Sequence, residues 1–166
     1  MIRLATPKDL PRLLEIYASA RAFMRSRGNM TQWAGNYPAQ ADLEEDIEKD
    51  CLYVAEEAGA VWGCFMLTAG PDATYRIIYD GTWGWDLPYG VLHRVAGDGS
   101  RAGLVHAAVE FAAGRFGYLR IDTHKDNLPM QKALAREGFC YRGTIITGDG
   151  TPRMAYDRRM DTKRLR

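Results

Sequence analysis

The chain has 166 residues, enough to bury a core as one domain without disulfide or metal staples. Lysine plus arginine number 22 against 21 for aspartate plus glutamate, so no overall field draws it to nucleic acid or to a membrane surface. Three cysteines, Cys51, Cys64 and Cys140, are an odd count without metal-ligand spacing, and no apolar run reaches bilayer length. With no apolar signal core after Met1, a soluble cytoplasmic protein in a reducing compartment is expected.

In chain order, Ile2-Arg3-Leu4 reads as a short first strand. Thr6 can cap a helix with Pro7 at its first position and Asp9 in its first turn. Leu10, Leu13, Leu14, Tyr17 and Met24 recur at helical spacing, and Gly28-Asn29 ends the run. Met30 to Pro38 is irregular and aromatic. Asp42 to Ile47 reads as a short acidic helix with Glu44, Glu45 and Asp46 on a solvated face. Cys51 to Glu56 and Val61 to Ala69 are strands joined at Ala58-Gly59, the second apolar on both faces like a central strand.

Pro71 to Pro88 reads as a loop with one helical turn. Tyr89 to Ala96 is a strand, Ala102 to Arg115 a helix, Leu119 to His124 a strand, and Leu128 to Glu137 a helix stopped by Gly138-Phe139. Phe139 to Thr147 and Arg153 to Tyr156 are closing strands around Asp149-Gly150. Cys64 and Cys140 read as core residues. Residues 158–166 form a basic, solvated tail behind a single domain of residues 1–157. The expected class is α+β: a central twisted mixed sheet of about seven strands with helices on both faces.

The stretch Leu92 to Phe139 carries the chemistry. A strand there delivers a turn, Gly97-Asp98-Gly99-Ser100-Arg101-Ala102-Gly103, to a helix start. Such a start presents unpaired N–H groups and the positive end of a dipole, a place for phosphate. Ser100 and Arg101 add a hydroxyl and a cation. No Gly-Lys-Ser/Thr follows, and no early Gly-x-Gly-x-x-Gly is present, which argues against a triphosphatase loop and a dinucleotide fold.

This arrangement resembles the GCN5-related N-acetyltransferase superfamily, over essentially the whole chain in element order and most strongly from Tyr89 to Tyr156. The runs Leu-His-Arg-Val-Ala-Gly-Asp-Gly, Arg-Ile-Asp-Thr-His-Lys-Asp-Asn-Leu-Pro-Met-Gln and Gly-Asp-Gly-Thr-Pro-Arg-Met-Ala-Tyr look like a bacterial subgroup of it, as does Gln32-Trp33…Tyr37-Pro38. The resemblance implies acetyl-CoA as cosubstrate and no metal. Val95, Ala96 and Gly97 would then offer backbone groups to the pantetheine. Gly99, Ser100, Arg101, Ala102, Gly103, Leu104 and Val105 would cradle the pyrophosphate. Asn127 would lie beside the pantetheine, and Lys132 would reach the adenosine phosphate region. The chain departs from the family at three positions. Aligned on Gly103, the turn motif begins with Ser100 where Arg or Gln is usual and ends with Val105 where Gly or Ala is usual. Leu134 stands where a Tyr often protonates the leaving thiolate.

Acetyl transfer to an amine needs a base to strip the ammonium and N–H groups to hold the developing oxyanion. His93, on the strand entering the turn, is the first candidate base; alternatively it is a core histidine bonded to backbone or to Asp122. His124 is a second candidate, or a cap on the Asp126-Asn127 turn. Tyr141 is the replacement phenol. Arg120 and Asp122 alternate on one strand face with His124 and read as a structural ion pair. Trp33, Tyr37, Trp83 and Trp85 lie in loops, where aromatic faces can receive an ammonium; the first three are the expected substrate-binding residues.

The expected function is transfer of acetyl from acetyl-CoA to a primary amine, on a small molecule or a peptide, in a ternary complex. No nucleic acid or membrane is expected as partner, and a homodimer is left open. The alternatives are a non-catalytic CoA-binding or sensor module, and an interaction protein joined through its C-terminal strands and tail.

Overall fold

The structure is a computed structural model and describes residues 1–160. Seven strands form one mixed sheet in the order β1-β2-β3-β4-β5-β7-β6. The strands are β1 (Ile2–Leu4), β2 (Leu52–Glu57), β3 (Ala60–Ala69), β4 (Gly90–Gly97), β5 (Tyr118–Thr123), β6 (Cys140–Ile146) and β7 (Pro152–Arg159), with helices α1 (Leu10–Ser26), α2 (Gln40–Glu48), α3 (Leu104–Ala113) and α4 (Leu128–Arg136). The α+β class and strand number match expectation. The chain forms two compact units, residues 1–67 with 93–107, and residues 68–92 with those from 108 onward.

In the first unit β1 pairs with β2 and β2 with β3, both antiparallel. The apolar repeat of α1 buries Leu13, Ile16 and Tyr17 against Leu43, Leu52, Val54 and Cys64. The helix does not start as a plain Thr6 cap. Pro7–Asp9 forms a 3-10 turn, and the Asp9 carboxylate reaches back to accept from the Thr6 N–H at 2.8 Å. Arg3 donates to both Asp9 oxygens at 2.8 and 2.9 Å and to Glu56 at 2.6 Å.

The Arg3 guanidinium, with the Thr6 N–H, outweighs burial and lowers the Asp9 carboxyl from 3.8 to about 2. A depressed carboxylate contributes stability that is complete above its ordinary value and is lost as pH falls through the folded one. The melting-temperature gap between the native chain and Arg3→Met is therefore expected to be full above about pH 4 and to close toward about pH 2. A gap that does not change with pH would contradict this assignment.

In the second unit β5 pairs with β7 and β7 with β6, antiparallel, while β4 meets β5 in parallel at Gly90↔Leu119 and Val91↔Arg120. Gly138, at φ +76°, ends α4. The Phe139 N–H reaches the Leu134 carbonyl and the Gly138 N–H that of Ala135, the paired bonds of a Schellman end. Two expectations are corrected. Cys140 is exposed at the start of β6 rather than in the core. Arg158 and Arg159 belong to β7, opposite Leu119 and Tyr118, so the strand runs past Tyr156. Residues 161–166 of the expected tail lie outside the described residues.

Candidate active site

The turn after β4 is built as a helix entry. Gly99 and Gly103 take φ of +80° and +94°, a region costly for residues with a Cβ. The Ala107 N–H bonds the Gly103 carbonyl at 2.9 Å, which makes Gly103 the N-cap of α3. Gly103 itself offers no capping side chain, and the first turn of a helix leaves its N–H groups without intrahelical acceptors at the positive end of the dipole. Behind them, a Cβ at Gly63 would lie 2.7 Å from the Leu104 side chain; this glycine leaves the room that Leu104 fills.

Asp98 organises the rest of the turn. Its N–H bonds the Trp62 carbonyl. One carboxylate oxygen accepts the Ser100 N–H at 2.8 Å and the other accepts Arg12 Nη2 at 2.6 Å. Burial opposes ionisation of Asp98, but the Ser100 bonds and Arg12 prevail and hold its carboxyl below the usual range. Ser100 therefore gives its N–H to the chain. Arg101 is paired with Glu57 and lies over the Trp62 ring at 5.2 Å. The Arg12–Asp98 pair is not legible in the sequence, because nothing local links residues so far apart. His106 sits in the first turn of α3 and could have been found from its spacing to Gly103.

His93 is half-buried in β4 and precedes the strand's one irregular residue. Arg94 has φ +52°, a conformation that costs a residue with a side chain about 1–3 kcal/mol. The surroundings hold it there. Its carbonyl accepts the Tyr17 hydroxyl at 2.7 Å. Its guanidinium donates to the Tyr37 hydroxyl at 2.9 and 3.2 Å, lies 5.1 Å from that ring, and pairs with Asp46. Asp46 is thus buried at 5% exposure rather than part of a solvated face. Burial pushes its carboxyl up despite Arg94. Tyr37 has its hydroxyl and one face engaged by Arg94. Trp33 packs on the first unit's core, edge-on to Tyr17 at 5.5 Å. Val95 and Gly97 are half-buried and Ala96 is buried.

In the second unit His124 is buried at the end of β5, and its Nδ1 accepts the Asp126 N–H at 3.1 Å. That bond places the ring proton on Nε2, leaving no lone pair to serve as base. Burial, then Arg153, lowers its pKa and keeps it neutral. The geometry favours the cap. Asn127 caps α4, its Oδ1 accepting the Met130 N–H at 3.2 Å. Lys132 is exposed on that helix, while Leu134 is fully buried. Tyr141 is 52% exposed on β6 beside the Tyr156 ring. Trp83 lines a cavity of about 440 Å³ with Trp85, Tyr89 and Arg120. The expected Arg120–Asp122 pair does not form: Asp122 accepts the Tyr75 hydroxyl at 2.7 Å, and Arg120 donates to Tyr118 and to the Trp85 carbonyl.

No family model matches the chain, and no curated protein does. Its likeness is to solved structures. A GNAT-family acetyltransferase from Streptococcus agalactiae superposes with TM-score 0.88 at 28% identity, over 98% of this chain and 96% of that one. A protein assigned as an acetyltransferase from Staphylococcus aureus superposes with TM-score 0.71 at 26% identity, over 97% and 99%. The chain belongs to the GCN5-related N-acetyltransferase superfamily. At the level of fold alone, this superfamily member is also similar to aminoglycoside acetyltransferase AAC(6')-Ib, whose structure holds coenzyme A and kanamycin (TM-score 0.65, 22% identity, 96% and 94% covered). Among the described residues of this GCN5-related N-acetyltransferase member no helix is long and apolar enough to cross a membrane.

Proposed function

We propose that this protein transfers the acetyl group of acetyl-CoA to a primary amine, directly within a ternary complex and in the cytoplasm. The carrying observation is the start of α3, where Gly103 at φ +94° gives its carbonyl to the Ala107 N–H and caps a first turn whose N–H groups find no acceptor within the helix. They suit the pyrophosphate of the cosubstrate, with Gly99, Ala102 and Gly103 keeping the approach free of bulk. Asp98 works against that anion, and its pairing with Arg12 reduces the cost. Val95, Ala96 and Gly97 supply the pantetheine's backbone partners, Asn127 flanks it, and Lys132 serves the adenosine phosphate.

His93 takes the proton from the ammonium. The freed amine nitrogen attacks the thioester carbonyl, the C–S bond breaks, and the CoA thiolate leaves to collect a proton. Leu134 removes the usual phenol from that last step, and Tyr141 is the remaining phenol. That the neighbour AAC(6')-Ib was captured with kanamycin supports a small amine as acceptor.

Incubation with acetyl-CoA and a broad panel of amines and peptides is expected to release free CoA thiol in an amine-dependent way, with acetyl-CoA raising the melting temperature. If acetyl-CoA neither binds nor stabilises the fold, the proposal fails. The buried Leu134 favours one second reading, a CoA-binding sensor; stabilisation by CoA with no thiol release across the panel would establish it.

A further inference from the structure

The cation beneath the aromatic loop of the second unit has no ionic partner among the described residues. Arg120 is 7% exposed and enters no ion pair among the described residues. Its neighbour across the ladder is Asp157. That carboxylate is occupied by Arg142 at 2.7 Å, the Tyr118 hydroxyl at 2.6 Å and the Gly84 N–H at 2.8 Å. Two residues along the same face, Asp122 is taken up by Tyr75. A buried guanidinium is ordinarily matched by a carboxylate, because desolvating it alone is costly.

Aromatic faces replace the missing partner in part. The Arg120 Cζ lies 4.0 Å from the Tyr89 ring centre, 4.2 Å from that of Trp83 and 5.2 Å from that of Tyr118. The loop that carries Trp83 is fixed from below. A Cβ at Gly81 would fall 1.8 Å from the Arg142 carbonyl, and the Trp83 indole N–H donates to Tyr75 at 2.9 Å. An aromatic cage of this kind would suit an ammonium from outside. Here the chain's own cation fills it, so the site has the opposite preference.

Stacking covers the faces of the guanidinium and leaves its edge. Of its five N–H donors, Nε serves Tyr118 at 3.3 Å and Nη2 serves the Trp85 carbonyl at 3.1 Å. Nη1 has no partner among the described residues, yet it is absent from the buried atoms that lack one, so it opens on the cavity that Arg120 lines. A planar carboxylate matches such an edge with two parallel bonds. The other charges of the lining do not compete in depth. Arg76 and Asp86 are exposed, and Asp72 accepts from the N–H and hydroxyl of Thr74.

We propose that this cavity binds a small carboxylate with a flat apolar body, the carboxylate on Arg120 and the body against Trp83, Trp85 and Tyr89. Its volume of about 440 Å³ lies in the range of small-molecule sites. Apart from Trp83, which the sequence offered as an acceptor-binding residue, the site uses none of the residues assigned to acetyl transfer, and it stands without that reading.

Titration calorimetry on the full chain without CoA, with indole N–H spectra recorded alongside, tests it using benzoate, benzamide, benzylamine and inorganic phosphate. Benzoate is expected to bind saturably and to shift the Trp83 indole signal. Benzamide, which keeps the shape and loses the charge, is expected to bind about tenfold or more weakly. Arg120→Gln abolishes the benzoate signal, and Arg120→Lys restores it only in part. Should those variants fail to fold, Asp86→Asn removes an exposed carboxylate from the lining and is expected to tighten benzoate roughly two- to fivefold. Benzamide or benzylamine binding as well as benzoate, phosphate displacing benzoate at equal concentration, or unchanged affinity in Asp86→Asn would overturn the proposal.

Discussion

Replacing Asp157 by alanine is expected to lower the free energy of unfolding by about 3–5 kcal/mol. Asp157 is fully buried on β7, and both of its oxygens are engaged. Arg142 Nε donates to one; the Tyr118 hydroxyl and the Gly84 N–H donate to the other. The carboxylate therefore ties together β5, β6, β7 and the aromatic loop. Removing it strands the buried Tyr118 hydroxyl without its acceptor, which carries the full desolvation cost, and releases the Gly84 N–H of the exposed loop. Arg142 keeps a quarter of its side chain exposed and can turn to solvent, which limits the loss on that side. Asp157→Asn is expected to be destabilising as well, because its amide N–H₂ meets donors where the carboxylate accepted. Equilibrium denaturation of the native and variant chains measures the effect. A loss near that of an ordinary surface substitution, within about 0.5 kcal/mol, would show that the three bonds do not hold the loop.

His93→Ala is expected to cut kcat by about 10²–10⁴ while leaving acetyl-CoA affinity within a few-fold. An alkyl ammonium with a pKa near 10.4 is almost fully protonated at neutral pH and cannot attack a thioester. An imidazole has its ordinary pKa near 6.5 and is the side chain best matched to take that proton. Of the two histidines considered for the role, His124 has its Nδ1 lone pair committed to the Asp126 N–H and sits neutral under burial. His93 lies in β4 beside Arg94, where the strand bends through a positive φ before delivering the turn. Unchanged turnover would take His93 out of the mechanism, and acetyl-CoA binding measured in the same variant separates that failure from loss of the fold.

Much of this molecule is carried by local chemistry, and that part is readable along the chain. The Schellman end at Gly138-Phe139 follows from a glycine able to take φ +76° and a Phe that returns to the core. The Asn127 cap and the glycines of the turn are likewise local: each solves a backbone problem within four residues. Element order and sheet class follow from such signals. Helix ends moved inward by one or two residues, as at Ala102, because the helix bonds begin only once Gly103 has turned the chain.

The partners of the charged side chains were decided only by tertiary structure. Arg12 meets Asp98 across 86 residues of sequence, Arg94 meets Asp46 across 48, and Arg120 meets the Trp85 carbonyl across 35. No periodicity or spacing encodes such pairs. A charge in sequence looks solvated by default, and it becomes buried only when two distant segments close over it. That is why Asp46 reads as a surface acid and is a core one, and why Arg120 and Asp122 read as a pair and are not. By itself the sequence determined where the backbone turns, caps and pairs, because those costs are settled between neighbours. Which charges are paired, and which one faces an open cavity, was settled by burial, because desolvation depends on everything that packs around the group.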